Sequence, residues 1–294
     1  VELASYAVDK GIRAVVSTNG TLITKEKARE LKNVGLSYVG ISLDGMEEVN
    51  DRFRRKKGAF RDAMTGIRNC QDVGLRVGLR FTINRLNINE IPSIFDLLEE
   101  MNIPRVCFYH LVYAGRGSAL IEQDLNHRET RRVLDLIIDR TKDLHDRGIP
   151  KEVLTVDNHA DGPYLYLRMV KEKNPRAGEV LQLLRMNEGN NSGKGFGCIS
   201  WDGSVHADQF WRHYSFGNIL ERPFSQIWTD LSNPMMSKLK DKKRYVKGRC
   251  ATCQWLDICG GNFRVRSEVV TGDIWAPDPA CYLSDEEITI KESA

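Results

Sequence analysis

Tyr38–Gly45 reads YVGISLDG, an apolar run that closes on a polar residue and a glycine. A short apolar run bounded by a turn signal is how a strand buried on both faces appears in a sequence. Three further stretches repeat it: Arg13–Ser17 leads into Thr18-Asn19-Gly20, Val77–Asn84 ends in Thr82-Ile83-Asn84, and Arg105–Leu111 carries His110. Amphipathic stretches at Lys25–Asn33, Ala59–Val73 and Ile91–Met101 separate the four runs. This alternation predicts an α/β fold with a parallel sheet, read as a partial (β/α) TIM-type barrel over residues 1–125. In such barrels the chemistry sits where strands give way to loops. Asn-Gly and Asp-Gly are, singly, just good turn formers. Polar groups at consecutive strand ends suit a small polar cofactor.

Working outward, Asn126–Arg147 predicts a helix with Val133, Leu134, Ile137, Ile138 and Leu144 on one face. Pro163–Lys173 and Ala177–Met186 look helical, so 126–195 reads as the helical end of the barrel plus a linker. The linker is Asn187–Gly197, NEGNNSGKGFG, taken as a flexible loop at the domain boundary. Residues 196–294 form a second domain. It opens with a hairpin from Cys198 to Asn218 turning at Asp202-Gly203, followed by a short helix at Pro223–Asp230.

The 294 residues carry a net charge of +3, which excludes a strongly basic nucleic-acid footprint. The basic run Lys240–Lys243 reads as a solvated helix end. No apolar stretch approaches the roughly 20 residues of a membrane span. Seven cysteines, four of them clustered, point to a metal site in a reducing cytoplasm rather than to disulfides. The chain begins at Val1 inside a helix-like segment and is read as a fragment lacking its N-terminal part.

Cys250, Cys253, Cys259 and Cys281 follow the pattern C-x2-C-x5-C-x21-C. Such close spacing aims several sulfurs at one point, and thiolates select soft metals. On spacing alone, structural zinc and an iron–sulfur cluster stay equally open.

STNGTLIT (Ser17–Thr24), VGISLDG (Val39–Gly45) and DRFRRKKGAFRDAMTGI (Asp51–Ile67) resemble the barrel of the radical S-adenosylmethionine (SAM) enzymes. The cysteine arm is similar to the SPASM extension of that superfamily, which carries auxiliary 4Fe–4S clusters. Asn158–Val170, Met186–Ile219 and Cys250–Arg266 resemble the radical SAM enzymes of heme d1 biosynthesis. The resemblance implies a partial radical SAM barrel followed by a small SPASM-type iron–sulfur domain. Its cofactors would be SAM, a radical-generating 4Fe–4S cluster and an auxiliary one. The implied reaction is removal of propionate side chains from 12,18-didecarboxysiroheme by a 5′-deoxyadenosyl radical. Electrons would come from a low-potential donor such as ferredoxin or flavodoxin.

Carried over by position, the resemblance gives the auxiliary cluster to Cys250, Cys253, Cys259 and Cys281. Ser17, Thr18, Asn19, Ser42 and Asp44 would line SAM, with Thr82 rather than Arg80 added from the next strand. The C-x3-C-x2-C loop and the Gly-Gly-Glu strand end of the family are absent, so these 294 residues alone are expected to be inactive. Asp208 and Phe263 stand where a full SPASM module has cysteines, which limits this chain to one auxiliary cluster and leaves Cys198 unpartnered. For a flat polyanionic substrate, His206, Trp211, Arg212 and His213 are the candidates, offering stacking faces and cations. Arg264 and Arg266, which follow the cysteine arm, are available to pair with carboxylates, with solvated arginines as the default. The alternatives are a radical SAM heme synthase acting on coproheme, a peptide-modifying SPASM maturase, and a zinc-stabilised binding module without catalysis.

Overall fold

The computed structural model describes residues 1–289, which group into two compact units. The first comprises 1–111, 123–125 and 129–156. Its sheet has five parallel strands in sequential order: β1 (Val16–Thr18), β2 (Val39–Ser42), β3 (Val77–Thr82), β4 (Arg105–Tyr109) and β5 (Glu152–Val156). Helix α1 (Glu2–Asp9) precedes β1. The connections carry α2 (Lys25–Asn33), α3 (Glu47–Arg54), α4 (Ala59–Asp72), α5 (Ile91–Glu100) and α6 (His127–Asp146). Parallel neighbours joined through helices are the winding of a (β/α) barrel, here over five strands. The expected α/β class therefore holds. β1 is shorter than its apolar run and begins at Val16, while β5 and α3 are elements the sequence reading did not resolve.

Strand register sorts the side chains into two faces. Val39, Ile41, Val77, Leu79, Phe81, Val106 and Phe108 are each at most 2% exposed. They pack with Leu31, Ile67, Ile94 and Phe95 of the surrounding helices. The opposite face is polar or small: Ser17 pairs with Gly40 and Gly40 with Gly78, Ser42 with Arg80 and Arg80 with Cys107, Thr82 with Tyr109. Local chemistry fixes the connections. Thr24 Oγ1 caps α2 by accepting the Lys27 N–H at 3.2 Å. Gly66 in α4 packs on the turn after β1 so closely that a Cβ there would lie 2.2 Å from the Gly20 carbonyl oxygen.

The second unit comprises 112–122, 126–128 and the described residues from 157 onward. The predicted hairpin forms: β6 (Cys198–Ile199) pairs antiparallel with β7 (Val205–His206), and Gly203 takes the turn with φ +86°. The helices are α7 (Asp161–Lys171), α8 (Ala177–Asn187), α9 (Phe224–Trp228), α10 (Pro234–Lys240), α11 (Leu256–Cys259), α12 (Arg264–Thr271) and α13 (Asp285–Ile288). The core gathers Val205, Ala207, Trp211, Ile227, Met236 and Leu239. Asn187–Gly197, read as a linker from sequence, falls inside this unit, with Gly189, Asn190, Ser192 and Gly193 buried. At Gly189 a Cβ would meet the Cys259 backbone at 2.3 Å, so only glycine lets the segment approach so closely.

Candidate cofactor face and metal centre

The strand ends of the first unit bring Ser17, Thr18, Asn19, Ser42, Asp44 and Thr82 to one end of the sheet. They differ in what they offer. Asn19 Oδ1 accepts the Thr21 N–H at 3.2 Å and Thr18 Oγ1 accepts that of Gly20 at 3.2 Å, which shapes the turn after β1. Ser42 and Thr82 lie half-buried on the polar face. Asp44 is fully buried. Its Oδ1 accepts the Thr82 N–H at 2.8 Å and its Oδ2 is paired with Arg54. Burial pushes this carboxyl up, and Arg54 and the Thr82 N–H oppose the shift. Both oxygens are thus engaged in tying the end of β2 to the end of β3.

Arg80 is the residue that the sequence reading set aside in favour of Thr82. Residues two apart on a strand share a face, so the two stand together. Arg80 pairs in register with Ser42 and lays its guanidinium over the Tyr109 ring, 4.2 Å from the centroid. Gly40 makes room for it: a Cβ there would lie 2.9 Å from Arg80 Cδ.

In the second unit Cys250, Cys253, Cys259 and Cys281 line one cavity, together with Arg249 and Asp278. The tight turn 250–253 and the short α11 supply three sulfurs, and the chain returns with Cys281. None of the four is in a disulfide. Burial pushes the Cys259 thiol up to about 12 and Cys281 to about 11, and raises Cys250 and Cys253 as well. Such thiols are inert until a soft metal displaces their protons. Among the described residues no group of three His, Cys, Asp or Glu side chains is spaced to hold a single metal ion. The buried Nε atoms of Arg249 and Arg264 have no acceptor. A cluster bearing sulfides fits a cavity walled by four thiols, and Arg249, which lines it, would gain the acceptor its Nε lacks.

Two readings of cationic residues are corrected by this centre. Lys242, expected on a solvated helix end, is 5% exposed with its ammonium on the Asn190 oxygens. Burial lowers it to about 7, and Cys259 acts in the opposite direction. Arg264 and Arg266, expected in solvent, are 3% and 0% exposed. Arg266 forms a buried ion pair with Asp278 at 2.8 Å, and Arg264 donates to backbone carbonyls. Basic residues after a cysteine arm have no sequence signal that separates solvent from interior.

The substrate candidates divide. Trp211 is 1% exposed and donates from Nε1 to Glu268 at 2.5 Å; His206 is 4% exposed and its Nδ1 lies 2.8 Å from the Tyr214 carbonyl oxygen. His213 and Arg212 are exposed. His213 reaches Glu268 at 3.0 Å, and Arg212 stacks over Trp201 at 4.3 Å from its centroid. Cys198 is half-buried on β6 and feels Arg212 and Asp208 electrostatically. Asp208 accepts the N–H groups of Phe210 and Trp211. Phe263 packs between His159 and Phe210.

Known proteins place this architecture. Residues 1–98 match the radical SAM superfamily and residues 193–254 match SPASM, an iron–sulfur cluster-binding domain. The chain belongs to the radical SAM superfamily and carries its SPASM extension, so its cofactors are 4Fe–4S clusters and SAM. Within it, the chain is 63% identical to the Fe-coproporphyrin III synthase of Methanosarcina barkeri, over 99% of its own length and 74% of that protein's. It is 40% identical to the pre-heme d1 synthase of Dinoroseobacter shibae (96% and 71% covered). It is 30% identical to the AdoMet-dependent heme synthase of Nitratidesulfovibrio vulgaris (98% and 76%). The fold is similar to that of anSMEcpe with bound AdoMet, at 16% identity and a TM-score of 0.67 over 94% of this chain and 71% of that one.

Proposed function

We propose that this chain serves a radical SAM enzyme of heme synthesis that handles Fe-coproporphyrin III, coproheme, as its product; coproheme as its substrate is the neighbouring reading. The observation that carries this reading is 63% identity over 99% of the chain to a protein named for making that compound. The alternative of a radical SAM heme synthase acting on coproheme is thereby better supported than propionate removal from 12,18-didecarboxysiroheme. The 40% identity to a pre-heme d1 synthase keeps the latter as the second reading.

In this reading Cys250, Cys253, Cys259 and Cys281 hold the auxiliary cluster, which supplies one-electron chemistry when bound. Ser17, Thr18, Asn19, Ser42 and Thr82 position SAM, with Arg80 beside them. Asp44 fixes the two strand ends they depend on. Arg212 and His213 offer charge to the tetrapyrrole carboxylates, while His206 and Trp211 hold the loop that presents them. No C-x3-C-x2-C run occurs in the 294 residues, so radical generation is assigned to cysteines outside them. A ferredoxin or flavodoxin would supply the electrons. Seven free thiols fit a reducing cytoplasm, and among the described residues no helix is long and apolar enough to cross a membrane.

The test joins this chain to a segment bearing a C-x3-C-x2-C loop and supplies 12,18-didecarboxysiroheme or coproheme with SAM and a reductant. Mass spectrometry identifies the product. Fe-coproporphyrin III from the first substrate is the expected result. Vinyl products from coproheme would place the chain one reaction later in heme synthesis, and pre-heme d1 would restore the second reading.

A further inference from the structure

Arg249 lines the four-cysteine cavity, and two further buried cations, Lys242 and Arg264, act electrostatically with its cysteines; the N–H groups of all three go mainly to uncharged oxygens. Lys242 Nζ donates to the Asn190 carbonyl and, at 2.6 Å, to its Oδ1. Arg264 donates to the carbonyls of Gly261, Ile274 and Ala276, the last at 2.7 Å. Arg249 donates to Leu283 at 2.5 Å, and its carboxylate neighbour Asp285 is 90% exposed. Asp278, the carboxylate in the cavity wall, is already matched by Arg266. Asp208 acts on Lys242 at longer range while accepting two backbone N–H groups.

Lys242 is tied to the backbone of Cys259 through one residue. The Asn190 that holds its ammonium donates its own N–H to the Cys259 carbonyl at 3.0 Å. A buried ammonium on neutral oxygens is costly unless a negative charge lies nearby. A cubane cluster on four thiolates is an anion, and reduction adds one electron and therefore one negative charge.

Resting on the cluster ligation given above, we propose that Lys242 sets the reduction potential of the auxiliary cluster by stabilising its reduced form. The step is a one-electron transfer: a low-potential reductant loses the electron and the cluster gains it. No bond is made or broken. The cation reaches Cys259 through Asn190 and through its charge rather than by binding the cluster, so it is a positioning residue that acts through the field.

The experiment is an EPR-monitored redox titration of the anaerobically reconstituted chain, with iron and sulfide determined in parallel. The wild-type chain comes first: failure to take up a cluster would overturn the ligation, separately from the role of Lys242. Lys242→Met and Lys242→Gln should lower the reduced-to-oxidised ratio at fixed potential by about tenfold, about 59 mV for a one-electron couple. Lys242→Arg should restore it, and Lys243→Met, which removes a lysine paired with Asp257 at the surface, should leave it unchanged. A ratio within twofold of wild type in either Lys242 variant at full cluster content overturns the proposal. So does loss of the cluster from both neutral variants, which would mark Lys242 as structural.

Discussion

Asp44 Oδ1 accepts the backbone N–H of Thr82 at 2.8 Å, fastening the exit of β2 to the exit of β3. The same carboxylate holds Arg54 and is itself fully buried. Asp44→Ala would strand a part-buried guanidinium and orphan the Thr82 N–H. Breaking a buried pair from one side costs about 3–5 kcal/mol. Urea denaturation of the variant should show that loss, and a change below about 1 kcal/mol would refute the fastening role.

The cavity makes a sharper distinction among the cysteines. Cys250→Ala, Cys259→Ala and Cys281→Ala should each abolish or severely reduce the iron and sulfide taken up on reconstitution, because each removes a wall sulfur. Cys198→Ala should leave uptake unchanged. Metal analysis of the four variants checks both halves, and iron lost with Cys198 would mean a second cluster.

Glu268 receives Trp211 Nε1 at 2.5 Å, His213 Nε2 at 3.0 Å and Tyr214 Oη at 3.1 Å. One carboxylate thus satisfies three aromatic donors. Glu268→Leu leaves the fully buried indole N–H without an acceptor and should destabilise the chain by about 2–3 kcal/mol. Glu268→Gln keeps an acceptor and should cost less. Denaturant midpoints for the two variants test the order.

Acid should weaken the second unit through His159. Burial, then the charges of Lys242 and Arg266, lower its folded value from 6.5 to about 4, while Asp161 and Asp278 act the other way. An unfolded chain takes up the proton below pH 6.5, the folded one only near pH 4. The stability tied to the neutral ring is therefore complete above pH 6.5 and is lost as pH falls towards 4. Its size is on the order of 3 kcal/mol. His159→Phe preserves the stack on Phe263 and should flatten the unfolding free energy between pH 6.5 and 4 relative to wild type.

The barrel strands were legible because β2, β3 and β4 are mostly buried, with small residues such as Gly40 and Gly78 on the second face, and leave apolar runs that end in polar residues. β5 was not, since Glu152–Val156 is a half-buried edge strand without such a run. The four cysteines were legible from spacing, and their common cavity follows it. The charges around them were not. Lys242 sits in a basic run and Arg264 follows the arm, and nothing in either pattern distinguishes an ammonium aimed at Asn190 from one in water. Arg80 was within reach of the sequence, since two-residue periodicity already puts it beside Thr82.

Residues 281–289 lie across the cysteine turn. The Trp255 indole donates to the Glu287 carbonyl at 2.7 Å, Gln254 Nε2 to those of Glu287 and Thr289, and the Gln254 N–H to that of Ile288. A ligand at Cys281 would clamp this strap from its other end. If the four sulfurs hold a cluster, protease nicking after the strap's exposed acidic residues, Asp285 and Glu286, should be slow while it is bound and fast once oxygen has removed it. A gel would then read cluster loss in a sample too dilute for spectroscopy.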